Sequence, residues 1–414
     1  SNPGMIDELL DSLLIGRLPD LESLEESLAE LTRNAEDQEP ILHSFKASQH
    51  LRIGVRDILG KDDIRATHAE LSDVAEVCLR KIAEMETARL IEKRGEPQVG
   101  ELAGLAASDS QPTSYLQWHP GRERVGTPSE LIVLALGKLG GREPNYHSDL
   151  DLVFLYEADG HTVAVRRSTA EPTTNNHFFS ELGQRIIKRM TEFGPHGRLY
   201  EVDPRLRPTG RNGSLAVSLP GFVRYFHDGT AQLWERLALC KARVIVGQGP
   251  AAERALEAIT SAIYCQPWQP SDAEEILAMR LKLEESASVR NLKRGPGGTM
   301  DTEFLVQMLQ LKHGAAMPNV RIPGTLAALN ALERAGILAT DDAATLTRAY
   351  RLQRSVEARI RLMDSAGRHE FPAEDRELAK LAYLMGEANP ARLAQEVFDT
   401  CGQVRRIFGR VVSR

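Results

Sequence analysis

Cysteine is scarce and scattered. Cys78, Cys240, Cys265 and Cys401 are the four in 414 residues, with no Cys-x-x-Cys pair. That excludes a disulfide scaffold and a cysteine-based zinc site, and leaves reduced, small apolar side chains as the expectation. The eleven histidines include no His-Glu-x-x-His spacing, which removes the zinc-protease pattern. Positive charge is not in excess: 51 basic residues against 58 acidic ones give a formal net charge of −7. The basic stripe of a nucleic-acid-binding protein is therefore missing, and no nucleic acid is expected as a partner. The longest unbroken apolar stretch, Leu131 to Leu136, falls far short of the roughly 20 residues of a membrane span, so no membrane partner is expected. The first residues show no secretory pattern, so the expected location is cytoplasmic. Ser1-Asn2 reads as an expression scar at a domain boundary. Low-complexity tracts, regular repeats and the phosphate loop Gly-x-x-x-x-Gly-Lys-Ser/Thr are also absent.

What is present is concentrated in residues 134 to 156. A glycine turn at Gly137 leads to Asp149-Leu150-Asp151-Leu152, which opens an apolar run. Along a strand, alternate side chains share a face, so Asp149 and Asp151 would stand about 7 Å apart on one side. Such a carboxylate pair suits two divalent cations that clamp the attacking and leaving oxygens of a phosphoryl or nucleotidyl transfer. An Asp-x-Asp also occurs in loops and calcium sites. The turn adds weight, because backbone at Gly137 and Gly140-Gly141 can approach a ligand closely and offer N–H groups to an anion. A third anionic ligand is expected from a neighbouring strand. In Arg198-Leu199-Tyr200-Glu201-Val202-Asp203-Pro204 the alternation puts Glu201 and Asp203 on one face, and Pro204 ends the strand. Asp203 is the chosen ligand and Glu201 the alternative. Arg205 and Arg207 can fork onto phosphate oxygens, or pair with the nearby carboxylates instead.

Three regions separate along the chain: a helical region over 1–110, a catalytic domain over 111–265 and a helical bundle over 266–414. Leu71, Val74, Cys78, Leu79, Ile82 and Met85 recur at helical spacing. Residues 95 to 128, rich in Gly, Pro and Ser, read as a mobile connection. Asn175 to Met190 predicts a helix on the sheet, and further helices are predicted over 272–289, 299–312, 341–363 and 376–385. Trp234 to Arg243 predicts a helix that could bring Lys241 or Arg243 to a triphosphate. Alternatively Trp234 is a core residue and the two cations form a solvated flank. The turn at Gly295–Gly298, after Arg290, Lys293 and Arg294, could hold phosphate or an acidic partner, or be a tight turn with Asp301 and Glu303 capping the next helix. His147 reads as a local hydrogen-bonding residue rather than a base.

The pairing of Gly137 with Asp149-x-Asp151 resembles the signature of the polymerase-β-like nucleotidyltransferase fold, with Lys138 where many members have Ser or Gly. Wider blocks are more specific: Gly-Lys-Leu-Gly-Gly-Arg-Glu at 137–143, Leu-Tyr-Glu-Val-Asp-Pro-Arg-Leu-Arg-Pro-Thr-Gly at 199–210, Trp234-Glu235-Arg236 with Lys241-Ala242-Arg243, and Gly-Pro-Gly-Gly-Thr-Met-Asp at 295–301. Together with Phe45 to Ile53 these resemble the glutamine synthetase adenylyltransferase family, whose members carry two nucleotidyltransferase units in tandem. The motif occurs once here. Asp301, Glu201 and Thr209 are similar to the carboxy-terminal, adenylylating unit, while Trp-Glu-Arg and Lys-Ala-Arg look more like the amino-terminal, deadenylylating one.

The resemblance implies an α+β fold with a polymerase-β-like core of mixed sheet and helices, flanked by an N-terminal helical segment and a C-terminal bundle. It implies AMP transfer from ATP to a tyrosine of glutamine synthetase with release of pyrophosphate, and a PII-type signal protein as partner of the full-length enzyme. Asp149, Asp151 and Asp203 would hold magnesium, with manganese able to substitute, and Asp203 could also accept the phenol proton. Gly137, Lys138, Ser148, Arg205, Arg207, Lys241 and Arg243 form the expected nucleotide-holding set. The rivals are the phosphorolytic unit of the same family, a different nucleotidyltransferase, and a non-catalytic module binding glutamine synthetase or a PII-type protein.

Overall fold

The computed structural model describes residues 18–100, 126–164, 171–194, 197–363 and 369–413. Three helices open it: α1 (Leu21–Thr32), α2 (Glu39–Ile58) and α3 (Ile64–Arg94). Asp20 and Asp63 cap α1 and α3, their carboxylates accepting from the Ser23 and Ala66 amides and satisfying donors that a helix start leaves open. Strand β1 (Glu96–Val99) follows. Residues 95–100 are thus not part of a loose connection, because β1 pairs antiparallel with β4 (Gly160–Val163); residues 101–125 lie outside the described set. The central sheet uses β2 (Leu131–Ala135), β3 (Leu150–Tyr156), β7 (Val202–Asp203), β8 (Ala216–Ser218) and β9 (Arg243–Val246). A four-residue turn of helix, α4 (Gly137–Gly140), joins β2 towards β3, and α5 (Asn175–Thr191) leads to the small hairpin β5 (Phe193–Gly194) and β6 (Gly197–Arg198).

The sheet is mixed. Strand β2 runs antiparallel to β3 and β9, whereas β7 and β8 both lie parallel to β3, one after the other along the same edge. Residue parity in β2 and β3 sorts side chains into two cores. Ile132, Leu134, Val153 and Leu155 face α6 (Leu219–His227), α7 (Leu233–Leu239) and α8 (Gly249–Ile263), with α10 (Thr299–His313) behind. Val133, Ala135, Leu152, Phe154 and Tyr156 face α3 and α5. Strands buried on both faces explain why Leu131–Leu136 reads as a continuous apolar run rather than an alternating one. Helices α9 (Pro270–Glu284), α11 (Thr325–Arg334), α12 (Thr340–Met363), α13 (Asp375–Leu384) and α14 (Pro390–Val412) complete the chain, and α12 to α14 enclose a third core around Phe371 and Val397. The first core runs unbroken from β2 into α14, and the second joins α3 to the sheet, so the bundle and the opening helices pack on the sheet as its two outer layers.

Two expectations need correction. The segment 199–203 is a strand only at Val202–Asp203; Leu199 and Tyr200 are both buried, which breaks the alternation, and Glu201 is exposed and paired with Arg198. The helix in 234–243 stops at Leu239, Trp234 is 37% exposed rather than core, and Arg243 begins β9.

Candidate active site

The site forms where β2 hands over to β3. Asp151 lies in β3 directly opposite Asp203 in β7, their Cα atoms in register across a parallel pair. Backbone bonds fix this corner: the Leu136 amide donates to the Asp151 carbonyl at 2.9 Å and the Leu150 amide to the Glu201 carbonyl at 2.9 Å. Gly137 has φ +53°, and a Cβ there would stand 2.2 Å from Asp151 Oδ2. Only glycine lets the turn press against that carboxylate. Asp149, just before β3, is exposed.

Electrostatically the corner is strained. Burial and then the neighbouring Asp203 push the Asp151 carboxyl up to about 6, with Asp149 adding to the effect. Asp203 moves the opposite way, because Arg205 donates to it from Nε at 2.7 Å and from its backbone amide at 3.0 Å. Arg205 thus makes the carboxylate pair expected as its alternative. Arg207 instead donates to the Pro204 carbonyl at 2.8 Å. The Ser148 hydroxyl accepts from the Asn145 amide at 2.9 Å and closes the turn before Asp149, while His147, exposed at φ +55°, occupies the tip of that turn.

Behind the glycine turn lies a second charged cluster. Glu143 accepts from Lys241 Nζ and the Tyr350 hydroxyl, each at 3.0 Å, and from the Thr325 amide and hydroxyl at 2.6 and 3.0 Å. Arg354 pairs with Glu357 at 2.5 Å and donates to the Glu143 carbonyl. Lys138 points into this cluster, 4.0 Å from Glu357; burial and the adjacent Arg354 bring its ammonium down to about 7 against the pull of Glu357. Lys241 is 3% exposed and also faces Glu303 at 3.7 Å. Arg243 ties α3 to the turn, bonding Glu76, Ser72 and the Gly140 and Leu139 carbonyls. Neither cation is a solvated flank. The first turn of α10 holds a buried Asp301, which accepts from the Gly297 amide of the preceding turn at 2.9 Å and pairs with Arg280 and Arg405; Glu303 instead accepts from the Tyr350 hydroxyl.

The structure therefore brings Gly137, Asp151, Asp203 and Arg205 together with Asp149 beside them, and draws Lys138, Lys241 and Arg243 to the rear of the turn. Among the described residues no group of three or more His, Cys, Asp or Glu side chains stands ready-made for a metal ion. The oxygen donors themselves suit a hard cation, and the mutual repulsion that raises Asp151 is what a dication would relieve. Sequence reasoning missed Glu143, Arg354 and Glu357. Glu143 sat inside the Gly-Lys-Leu-Gly-Gly-Arg-Glu block, but its partners Lys241, Thr325 and Tyr350 are remote in sequence. Three of the four cysteines are buried and all are free thiols. Among the described residues no helix is long and apolar enough to cross a membrane.

A glycine turn pressed on a carboxylate pair, within a mixed sheet layered by helices, defines an α+β protein with an acidic corner at the end of its central strands. Comparison with known proteins narrows this. The family model described as glutamate-ammonia ligase adenylyltransferase matches residues 1–106 and 105–258, and that of the GlnD PII-uridylyltransferase matches residues 275–412. A bifunctional glutamine synthetase adenylyltransferase/adenylyl-removing enzyme of Xanthobacter autotrophicus is 33% identical over 99% of this chain and 39% of its own length. Proteins of the same description from Stenotrophomonas maltophilia and Thioalkalivibrio sulfidiphilus are 32% and 26% identical, over 84% and 99% of this chain and 35% and 40% of theirs. The chain belongs to the glutamate-ammonia ligase adenylyltransferase family, and it spans well under half the length of these relatives.

Proposed function

We propose that this chain is a nucleotidyltransferase unit that moves AMP from ATP to a tyrosine of glutamine synthetase, releasing pyrophosphate. The observation that carries the reading is the register of Asp151 opposite Asp203, with Gly137 against the Asp151 carboxylate. The relatives' names support the reaction and the protein acted on. Within this reading the sheet with its glycine turn is a polymerase-β-like core. Asp149, Asp151 and Asp203 would hold magnesium or manganese, which when bound supplies charge neutralisation for the triphosphate and the departing pyrophosphate.

The chain's own groups do the rest. The turn at Gly137 offers close backbone approach to phosphate oxygens. Arg205, whose guanidinium lies against Asp203, would fork onto the same oxygens. The tyrosine oxygen attacks the α-phosphorus in line, a new P–O bond forms, and the bond to the β-phosphate oxygen breaks. The phenol proton leaves to Asp203 or to water. A PII-type signal protein is the proposed regulator of the full-length enzyme, in keeping with the match of 275–412 to a PII-uridylyltransferase family.

The test incubates the chain with α-labelled ATP, magnesium and glutamine synthetase. Label on a synthetase tyrosine, lost in Asp149→Asn, is the expected result. ADP released from pre-adenylylated synthetase and phosphate, without labelling, would assign the chain to the adenylyl-removing activity that the relatives' names also carry. Neither product would reduce it to a binding module.

A further inference from the structure

Two cavities adjoin behind the glycine turn, one of about 370 Å³ and one of about 720 Å³. The smaller is walled by Gly140, Gly141 and Glu143, by the start of α3 and by α12; the larger lies between α11 and α12. Arg65, Ile322, Leu326, Ala327 and Arg351 line both, which joins them into one trench. None of Gly137, Asp149, Asp151, Asp203 and Arg205 lines either cavity, so the trench is separate from the carboxylate corner.

The trench is cationic in a chain whose acids outnumber its bases, 58 to 51. Its lining carries seven arginines, and among the described residues Glu143 and Glu333 are its only carboxylates. Arg142, Arg243 and Arg354 are held by Asp73, Glu76 and Glu357. Along the exposed side that pairing stops. Arg65, Arg334 and Arg351 are exposed, and among the described residues no hydrogen bond or ion pair reaches them. Arg348, also exposed, donates only to the Thr345 hydroxyl, at 3.3 Å. Nearby acids in the sequence are committed: Asp62 to Arg56, Asp63 to the Ala66 amide and Asp342 to Arg410. A cleft lined by one sign of charge focuses its field and speeds the arrival of a partner of the other sign.

The layout of the cations selects the ligand. Arg348, Arg351 and Arg354 recur at every third residue of α12, so they share a helix face and spread over about 9 Å of its axis. Arg65 comes from the start of α3 and Arg334 from the end of α11. Cations strung out in this way match an extended anion; a single phosphate is held by donors that converge. Ile322, Leu326 and Ala327, all half-buried, add aliphatic surface common to both cavities. Nucleic acid fits this lining poorly, because its only Phe, Tyr or Trp is Tyr350, which is buried and offers no ring for base stacking. We infer that the trench docks an extended acidic segment of a partner protein, with its carboxylates on Arg65, Arg334, Arg348 and Arg351 and an aliphatic side chain on Leu326. Such docking holds whether or not the corner transfers AMP.

The experiment titrates the full chain into a fluorescein-labelled peptide of three Glu-Glu-Leu repeats and follows anisotropy. A Gln-Gln-Leu peptide and an oligothymidylate of equal length carry the same label. One exposed ion pair contributes little, so the test variant reverses two charges, Arg348→Glu with Arg351→Glu. Arg376→Glu with Arg392→Glu, exposed arginines outside the trench, is the control of equal net charge. Arg65→Ala with Arg351→Ala removes charge without reversing it, and thermal melts check that each variant folds. The expected result is saturable binding of the acidic peptide that weakens as salt is raised. It should fall at least tenfold in the reversed trench variant and at least threefold in Arg65→Ala with Arg351→Ala, and stay within twofold in the control. The neutral peptide should not bind, and ATP at matched ionic strength should not displace the acidic one. No saturable binding to wild type, equal losses in the trench variant and the control, or displacement by ATP would overturn the assignment. Tighter binding of the oligothymidylate, lost in the trench variant, would make the trench a nucleic-acid surface. Self-association in sedimentation, lost in that variant while the acidic peptide stays unbound, would give it to a second copy. Either result overturns the partner-protein assignment.

Discussion

Two charged clusters lie back to back across the Gly137 turn, and they are built on opposite rules. In the rear cluster Glu143, Lys241, Glu303, Arg354 and Glu357 alternate in sign, and each carboxylate has a cation or a hydroxyl on it. Despite burial, which alone would raise it, Glu357 stays well below the usual carboxylate range because Lys138 and Arg354 face it. In the front cluster Asp149, Asp151 and Asp203 share a sign, and burial with mutual repulsion raises Asp151 to about 6. Paired buried charge fixes a structure; crowded like charge waits for a ligand. The two clusters are equally rich in acids, so composition alone does not separate them.

The comparison can be broken at either end. The largest effect is expected from Asp151→Asn, which removes the central front carboxylate: AMP transfer should fall by about ten-thousandfold or more, about 5 kcal/mol in the barrier. The same variant should melt at a higher temperature than wild type in metal-free buffer at pH 7, because repulsion is relieved. Arg354→Met attacks the rear cluster and leaves Glu357 buried beside fewer cations; a loss of about 3–5 kcal/mol in urea unfolding is expected, with any surviving folded protein still binding nucleotide. Gly137→Ala sits on the boundary. Its Cβ collides with Asp151 Oδ2, and the left-handed backbone adds about 1–2 kcal/mol of strain, so a tenfold or greater loss of transfer should accompany a modest drop in melting temperature.

The smallest effect is on pH dependence. A carboxylate whose folded pKa is raised favours the folded state when protonated, so stability contributed at Asp151 is present below 3.8 and is lost as pH rises from 3.8 to about 6. Divalent-cation affinity should run the other way and weaken as pH falls below about 6, by up to tenfold per unit for one proton displaced. Titrating manganese binding by electron paramagnetic resonance between pH 5 and pH 8 reads this directly. A flat profile would detach Asp151 from the cation.

Much of the front cluster was legible because its signal is local. Asp149 and Asp151 stand two residues apart, the glycine of the turn is twelve positions before Asp149, and the helix expected over 175–190 occurs at Asn175–Thr191. Asp203 was reached by a partly mistaken route: the alternation assumed over 199–203 does not exist, yet Pro204 does end a strand whose last residue is Asp203. The rear cluster was illegible for the converse reason. Its members come from the turn, the link between α7 and β9, α10, α11 and α12, and no short-range pattern announces that Lys241 will meet Glu143 across ninety-eight positions. Trp234 misled because size suggests burial, whereas its indole Nε1 is satisfied locally by Gln232 at the helix start. Strand β1 hid among turn-forming residues, since its partner β4 supplies what the local sequence lacks.

The edge of β3 carries two separate neighbours, β7 against Leu150–Asp151 and β8 against Phe154–Tyr156. Between them the chain departs at Pro204 and returns at Ala216. Asp203 therefore hangs on a splice two residues long, whereas the structural β8 contact has its own rungs and its own helix behind it. Opening the splice need not unzip the sheet, and local openings of that size have a much lower free energy than global unfolding. On the nucleotidyltransferase reading Asp151 would be the fixed ligand of the corner and Asp203 the exchangeable one, because the two-residue pairing of β7 is the smaller unit to open beside a strand that is buried in both cores.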